Sequence, residues 1–397
     1  MIEIRVPPSK SLTQRAILVA ALAGGRSVIE DPLRCDDSEA LLRGLAELGV
    51  SATWRDTAIE VEGADLLHPT GRVLQLGNAG TAVRFLTAAC LLADRPYRID
   101  GVEAMRRRPM KGLLEALGAL GAEWDTPQKS HCPPVDLSPP AEPGTGWRHT
   151  PSVELDPTES SQQLSALLMV GCRLGAGLDL EVCGPVPSAP YVDLTLEVMN
   201  RFGGQAQRTD RGFVTSPSGY RATRYRVEGD CSSASYVWAA GALTGRAVRV
   251  CNVRPDSLQG DQVFPELLDQ LERDGPCTLD LGSTPDIAPT VATCALFREH
   301  LTTITNVSHL RVKECDRLAV LAAELRKMGA SIEETDDGWR IEPASLSGPA
   351  VCDPRGDHRM AMCFGLASLR VDGIQINDPD CVSKSYPGYW DMLEVFK

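Results

Sequence analysis

Aromatic side chains are scarce in this sequence, with Phe, Trp and Tyr making up 5% of its residues. Stacking platforms for nucleic-acid bases are built from such side chains, so the scarcity weighs against a nucleic-acid binder. Positive charge is in deficit too. The chain carries 40 Lys and Arg against 53 Asp and Glu, a formal net charge of −13. That balance argues against a broad polyanion-binding or anionic-membrane surface. No stretch approaches the ~18 consecutive apolar residues of a spanning helix. The opening residues Met1-Ile2-Glu3-Ile4-Arg5 lack the charged-then-apolar layout of a secretory signal. Cysteine is plentiful but unpatterned: the 13 cysteines are odd in number, and none forms a C-x-x-C pair. Most lie in apolar segments, as do Cys90, Cys172, Cys294 and Cys363. This is the usage of reduced, buried thiols, and it sets the expectation of a cytoplasmic protein without disulfides or a zinc site. No Ser-His-Asp order, H-E-x-x-H or acidic metal cluster is apparent.

What the sequence does have is length, an ordinary apolar fraction and repetition. Its 397 residues suggest two domains, and 43% apolar content suffices for a sizeable core. Six segments share one pattern: an Ala-rich, almost wholly apolar helix, a break, then a short alternating strand. The helices are expected over 15–24, 82–93, 162–174, 233–244, 290–299 and 359–369, at a mean spacing of about 66 residues (397/6). Each repeat also carries a helix with a one-sided apolar stripe, such as Leu41, Leu42, Leu45 and Leu48, or Leu318, Leu321, Leu325 and Met328. Five striped helices end near a glycine suited to a left-handed cap: Gly49, Gly121, Gly203, Gly275 and Gly329. A helix apolar all round must be buried, whereas a striped one faces solvent. The expected fold is therefore α/β, with buried helices surrounded by sheets and striped helices, three repeats to a lobe. Halving the repeats places the boundary near the connector Ser216-Pro217-Ser218-Gly219, giving a first lobe of 10–219 and a second of 1–9 plus 220–397. The Pro-rich stretch 127–157 reads as a long hairpin or surface loop.

The segments at the helix starts hold the unusual polar residues. They are Pro8-Ser9-Lys10-Ser11 with Arg15; Gly77-Asn78-Ala79-Gly80-Thr81 with Arg84; Glu159-Ser160-Ser161-Gln162; Gly229-Asp230-Cys231-Ser232-Ser233; Pro285-Asp286; and Gly356-Asp357-His358-Arg359. N-capping accounts for each Ser, Asp or Asn singly. It does not account for the cations, which oppose the helix dipole in a first turn. The striped helices add Arg106-Arg107-Arg108-Pro109, Arg311 to Arg317, and Ser383-Lys384. A bound anion reverses the sign, since helix amides with Lys and Arg make a phosphate or carboxylate site. A small, multiply charged anion in an interlobe cleft fits an acidic protein that keeps its cations there. Asp286, Glu314 and His358 are the acid–base candidates in the same places. Each has a plainer alternative: a cap, a surface ion pair and a packing residue. The pair Asp36-Asp37 is most simply a cap.

In their order, Pro8-Ser9-Lys10-Ser11-Leu12-Thr13-Gln14-Arg15, Leu76 to Thr81, Arg108-Pro109-Met110, Ser160-Ser161-Gln162, Gly229 to Tyr236, Leu310 to Arg317, Asp357 to Met362 and Lys384 resemble one family. It is the 3-phosphoshikimate 1-carboxyvinyltransferase (EPSP synthase) family of enolpyruvyl transferases, and the resemblance runs from about Pro7 to Tyr389. It implies a two-lobe, inside-out α/β barrel of six β/α repeats. It implies transfer of the enolpyruvyl group of phosphoenolpyruvate to the 5-hydroxyl of shikimate 3-phosphate, with release of phosphate, in the pathway to chorismate and aromatic amino acids. No metal or organic cofactor is implied, and a monomer is expected, with no nucleic-acid or membrane partner. By the resemblance, shikimate 3-phosphate takes Lys10, Ser11, Arg15, Ser160, Ser161, Gln162, Ser188 and Tyr191, with Asp286 and Lys313 at its ring hydroxyls. Phosphoenolpyruvate takes Lys10, Asn78, Gly80, Arg108, Gln162, Arg317, Arg359 and Lys384. Asp286 is the base on the attacking hydroxyl; Lys313 and Glu314 are proton donor and acceptor at the enol carbon, in either order.

Two residues depart from the family pattern. His309 stands where many relatives have Asn, and Glu159 puts a carboxylate near the expected phosphate site. The alternatives are a UDP-N-acetylglucosamine enolpyruvyl transferase of the same fold and a non-catalytic anion-binding homologue. The first typically uses a loop cysteine; Cys132 lies in the corresponding region but lacks the surrounding pattern. Loss of Asp286, Lys313 or Glu314 would have favoured the second, and all three are present.

Overall fold

A computed structural model describes residues 1–397. The chain divides into two compact units, Pro8–Val227 and Met1–Pro7 with Glu228–Lys397. The division falls at 227/228 and not at the connector near residue 219. The reason is the strand Arg224–Arg226, which pairs in parallel with Gly25–Glu30 and so keeps the connector's far side in the first unit.

The unit Pro8–Val227 contains three four-stranded sheets. Each repeats one topology. Gly25–Glu30, Tyr97–Asp100 and Leu178–Val182 each pair in parallel with one neighbour and antiparallel with another, which itself pairs antiparallel with the fourth strand. The other unit has one sheet of the same kind, with Cys277–Asp280 and Thr302–Thr305 as its parallel pair. Its remaining repeats keep only the parallel pair: Ile2–Ile4 with Val248–Val250, and Ala350–Cys352 with Ile374–Ile376. Six small sheets thus accompany six buried helices, the α/β repeat architecture expected from the sequence.

The buried helices are Lys10–Ala21, Gly80–Ala88, Ser161–Gly171, Cys231–Thr244, Ala288–Ala295 and His358–Ala367. Every residue from Leu12 to Ala21 is buried, as is every residue of the last two helices. Small Ala side chains let strands and striped helices approach on all sides, so the burial follows from composition. Most of these helices begin earlier than their apolar runs, because the polar first turn is itself helical. Lys10 and Ser11 lie inside the first helix, which Ser9 caps by accepting from Leu12 N. The second ends at Ala88 and tightens into a 3₁₀ turn, Ala89–Leu92, and the fifth stops at Ala295. The five glycines after the striped helices all have φ between 84° and 88°. A side chain there is strained, and the left-handed residue ends each helix and turns the chain.

One expectation is corrected. The Pro-rich stretch 127–157 is not a hairpin, because its two strands serve different sheets. Val135–Ser138 pairs with Tyr97–Asp100, and Ser152–Leu155 pairs with Leu178–Val182. No helix is long and apolar enough to cross a membrane.

Candidate functional site

In the unit Pro8–Val227 the first buried helix presents Lys10, Ser11 and Arg15 from its first turn and a half. Lys10 Nζ lies 3.2 Å from Asp37 Oδ2. This corrects the reading of Asp36-Asp37 as a cap: Cys35 is the N-cap, and Asp37 is 5% exposed in the first turn facing a cation. Arg15 is buried, and each of its three nitrogens donates a hydrogen bond. Its Nε donates to Thr195 Oγ1 at 2.8 Å, Nη1 to Ser11 O at 3.1 Å, and Nη2 to Tyr191 O at 3.2 Å and Ser165 Oγ at 3.3 Å. Its guanidinium carbon lies 5.7 and 5.8 Å from the Phe85 and Tyr191 ring centroids. Burial lowers its pKa to about 10, opposed by Tyr191 and Tyr225. Arg15 thus ties Ser11 to Tyr191. Ser188, whose carbonyl accepts from Tyr191 N, has φ 55°, a left-handed conformation rare for serine that marks local strain.

A second group forms where the helices Gly80–Ala88 and Ser161–Gly171 begin. Gln162 Nε2 donates to Thr81 Oγ1 at 3.1 Å, while Ser160 Oγ caps its helix by accepting from Gln162 N. Asn78 lies in the turn leading to Gly80, and Ser161 is the first helical residue. The Arg108 guanidinium lies flat against Gly80. A Cβ on that glycine would stand 2.7 Å from Nη1 and 2.8 Å from Cζ and Nη2. Arg108 is 8% exposed, its side chain meets no carboxylate, and its Nε is buried without a hydrogen-bond partner. A desolvated cation left in that state calls for an anion. Glu159 is committed elsewhere: its Oε2 accepts from Lys111 N at 3.2 Å and Gln163 Nε2 at 3.0 Å.

In the unit Glu228–Lys397 one ion network joins most of the remaining candidates. Asp286 sits in a 3₁₀ turn, Pro285–Ile287, before its buried helix. It accepts from Arg317 Nη1 at 3.3 Å and Arg359 Nη2 at 2.9 Å. Glu314 accepts from Arg317 Nη2 at 2.9 Å and Lys384 Nζ at 2.8 Å. Arg317 is 2% exposed and is anchored through Nε to Asp357 Oδ2 at 2.7 Å. Burial alone would lower its proton affinity, but the carboxylates of Asp357, Glu314 and Asp286 raise it well above the usual arginine value. Lys313 precedes Glu314 at the end of the 3₁₀ turn Ser308–Val312. In that turn His309 has a buried Nε2 without a partner. Burial first, then Lys313, lower its pKa to about 4, so the imidazole is neutral at physiological pH.

The roles of three carboxylates, two in this unit and one in the unit Pro8–Val227, are not visible in the sequence. Asp357 caps its helix through Arg359 N at 2.9 Å, and beyond that cap it holds Arg317. Asp261, 4% exposed, accepts a short hydrogen bond from Ser232 Oγ. Burial and the charge of Asp286 push its carboxyl up to about 7. Asp37 holds Lys10 across 27 positions of sequence. Asp357 could have been found as an acid beside two cations; nothing in the Asp261 segment signalled its burial. His358 is buried against Asp357, its Nδ1 3.7 Å from Oδ1. Cys132 is 8% exposed, and burial raises its thiol, the opposite of an activated nucleophile.

Comparison with known proteins gives a consistent result. Residues 2–393 match the family model for EPSP synthase (3-phosphoshikimate 1-carboxyvinyltransferase). A 3-phosphoshikimate 1-carboxyvinyltransferase from Laribacter hongkongensis is 42% identical, over 98% of this chain and 95% of its own. One from Methanoculleus marisnigri is 40% identical, over 98% of this chain and 94% of its own. Among solved structures, an EPSP synthase from Acinetobacter baumannii superposes with a TM-score of 0.79 at 23% identity, covering 99% of this chain and 95% of its own. The enolpyruvyl transferase NikO from Streptomyces tendae gives 0.72 at 16% identity, covering 100% and 94%. These two likenesses concern the fold.

Proposed function

We propose, from the premise that this chain belongs to the EPSP synthase (3-phosphoshikimate 1-carboxyvinyltransferase) family, that it transfers the enolpyruvyl group of phosphoenolpyruvate to the 5-hydroxyl of shikimate 3-phosphate. The observation that carries the substrate reading is Arg108, a buried guanidinium without a carboxylate partner, flat against Gly80. A phosphate or carboxylate supplies what that side chain lacks.

The roles divide between the units. Lys10, Ser11, Arg15, Ser160, Ser161, Ser188 and Tyr191 hold shikimate 3-phosphate, with Gln162 serving both substrates. Lys10, Asn78, Gly80 and Arg108, with Arg317, Arg359 and Lys384, hold phosphoenolpyruvate. Asp286 takes the proton of the 5-hydroxyl as its oxygen bonds to C2 of phosphoenolpyruvate, while C3 gains a proton and becomes a methyl group. The addition intermediate then loses phosphate from C2 as the methyl returns a proton, leaving the enol ether. Protons and charge balance, and no redox partner is required. Glu314, which Arg317 and Lys384 hold in place, is assigned to accept the returning proton, and Lys313 to donate one. Positioning and proton transfer at two atoms together supply the rate.

The UDP-N-acetylglucosamine alternative lacks its cysteine, since burial raises the pKa of the Cys132 thiol and disfavours its thiolate. A monomeric state and a cytoplasmic location belong to the same proposal. The test is phosphate release from phosphoenolpyruvate in two reactions. Release with shikimate 3-phosphate and none with UDP-N-acetylglucosamine supports the reading; the reverse pattern overturns it.

A further inference from the structure

The helix Gly80–Ala88 carries a buried cation that these roles leave unused. Arg84 lies one turn inside the helix and is 3% exposed. Its Nη1 donates to the carbonyl of Gly80 at 3.0 Å and its Nη2 to the carbonyl of Pro109 at 3.1 Å. Gly80 is the residue against which the Arg108 guanidinium lies, and Pro109 follows Arg108 in the chain. One planar fork therefore fixes both the floor beneath the Arg108 head group and the backbone from which Arg108 springs.

Arg108 needs such support. Its Nε is buried without a partner and its side chain forms no ion pair, so its head group is placed by its backbone and by packing, with Gly80 beneath the guanidinium. An error of about 1 Å in a binding group is enough to weaken recognition severely. The guanidinium of Arg84 spans two acceptors at a set separation, which a lysine ammonium on a flexible stem does not.

We propose that Arg84 is a positioning residue for phosphoenolpyruvate recognition, acting through Arg108 and the Gly80 backbone without touching the substrate. This rests on the reading that Gly80 and Arg108 take that substrate.

The test compares R84M, R84K, R108K and the double variant R84M/R108K, with KM for each substrate and kcat measured separately. R84M is expected to raise KM for phosphoenolpyruvate about tenfold, equivalent to about 1.4 kcal/mol. KM for shikimate 3-phosphate should stay within about twofold, since its site is held by Arg15 and not by Arg84. R84K should fall between wild type and R84M, and it decides the matter if R84M does not fold. Because Arg84 acts through Arg108, the double variant should bind phosphoenolpyruvate no more weakly than R108K alone, within about twofold. Three results overturn the proposal: an unchanged KM for phosphoenolpyruvate, an equal rise for both substrates, or full additivity with R108K. If R84M and R84K have no effect while R108K raises KM, only the role of Arg84 fails. If R108K itself leaves KM unchanged, the substrate reading fails and the role of Arg84 with it.

Discussion

Lys384 Nζ lies 2.8 Å from Glu314 Oε1, joining residues 70 positions apart. Arg317 Nη2 meets the other oxygen of the same carboxylate at 2.9 Å. The group assigned to proton return at the enol carbon is thus held by two cations assigned to phosphoenolpyruvate. Binding and acid–base chemistry share one side chain, so a substitution there has a distinctive kinetic signature.

Glu314→Gln keeps the shape and the hydrogen-bonding oxygen but removes the charge and the basicity. Turnover should fall by about 10²–10⁴, the range of a lost acid–base group. KM for shikimate 3-phosphate, which Glu314 is not assigned to bind, should change by no more than about threefold. Steady-state kinetics with each substrate varied in turn checks this. A fall in kcat of under about threefold would remove Glu314 from the chemistry.

Gly80→Ala tests the other anion group. The new Cβ would stand 2.7 Å from Arg108 Nη1, and the far end of a flexible side chain can move away. The protein should fold, with Arg108 displaced and KM for phosphoenolpyruvate raised about tenfold or more. Unaltered thermal stability together with unaltered KM would show that Arg108 does not bind the substrate from this position.

Asp261 predicts a dependence of stability on pH. Its carboxyl is pushed from the usual 3.8 up to about 7, chiefly by burial and then by the charge of Asp286, with Ser232 and Arg359 opposing and Asp230 adding to the rise. Between those values the folded protein holds a proton that the unfolded chain has released. Stability therefore falls as pH rises through this window, by up to about 1.4 kcal/mol per pH unit, and levels off above about pH 7. Asp261→Asn removes a group that titrates. Urea unfolding from pH 5 to 8 should show the wild type losing stability relative to the variant as pH rises; a constant difference would contradict the assignment.

The parts of this fold visible in the sequence are those written in local composition. Ala-rich runs such as 233–244 can only be buried helices, and Gly49 or Gly329 after an apolar stripe ends one. Strands of three or four residues carry little alternation, which is why Arg224–Arg226 does not stand out and 127–157 reads as a long hairpin or surface loop. The same limit applies to the site. Cations at helix starts stand out because they oppose the dipole, which is how Lys10, Arg15, Arg84 and Arg359 are picked out from the sequence. Their partners are not. Asp37 and Asp357 each occupy positions where an acid caps or opens a helix in any protein, and only folding shows that they meet Lys10 and Arg317.

The most direct test of the chemistry is isotopic. Enolpyruvyl transfer by addition and elimination requires C3 of phosphoenolpyruvate to become a methyl group and then lose one hydrogen. With shikimate 3-phosphate and phosphoenolpyruvate in D2O, proton magnetic resonance and mass spectrometry of the product read the isotope at that carbon. Deuterium in the enolpyruvyl methylene, greatly reduced in total yield by Glu314→Gln, is the predicted result. Product formed at full rate with a methylene free of deuterium would contradict protonation at C3 by a group in exchange with solvent.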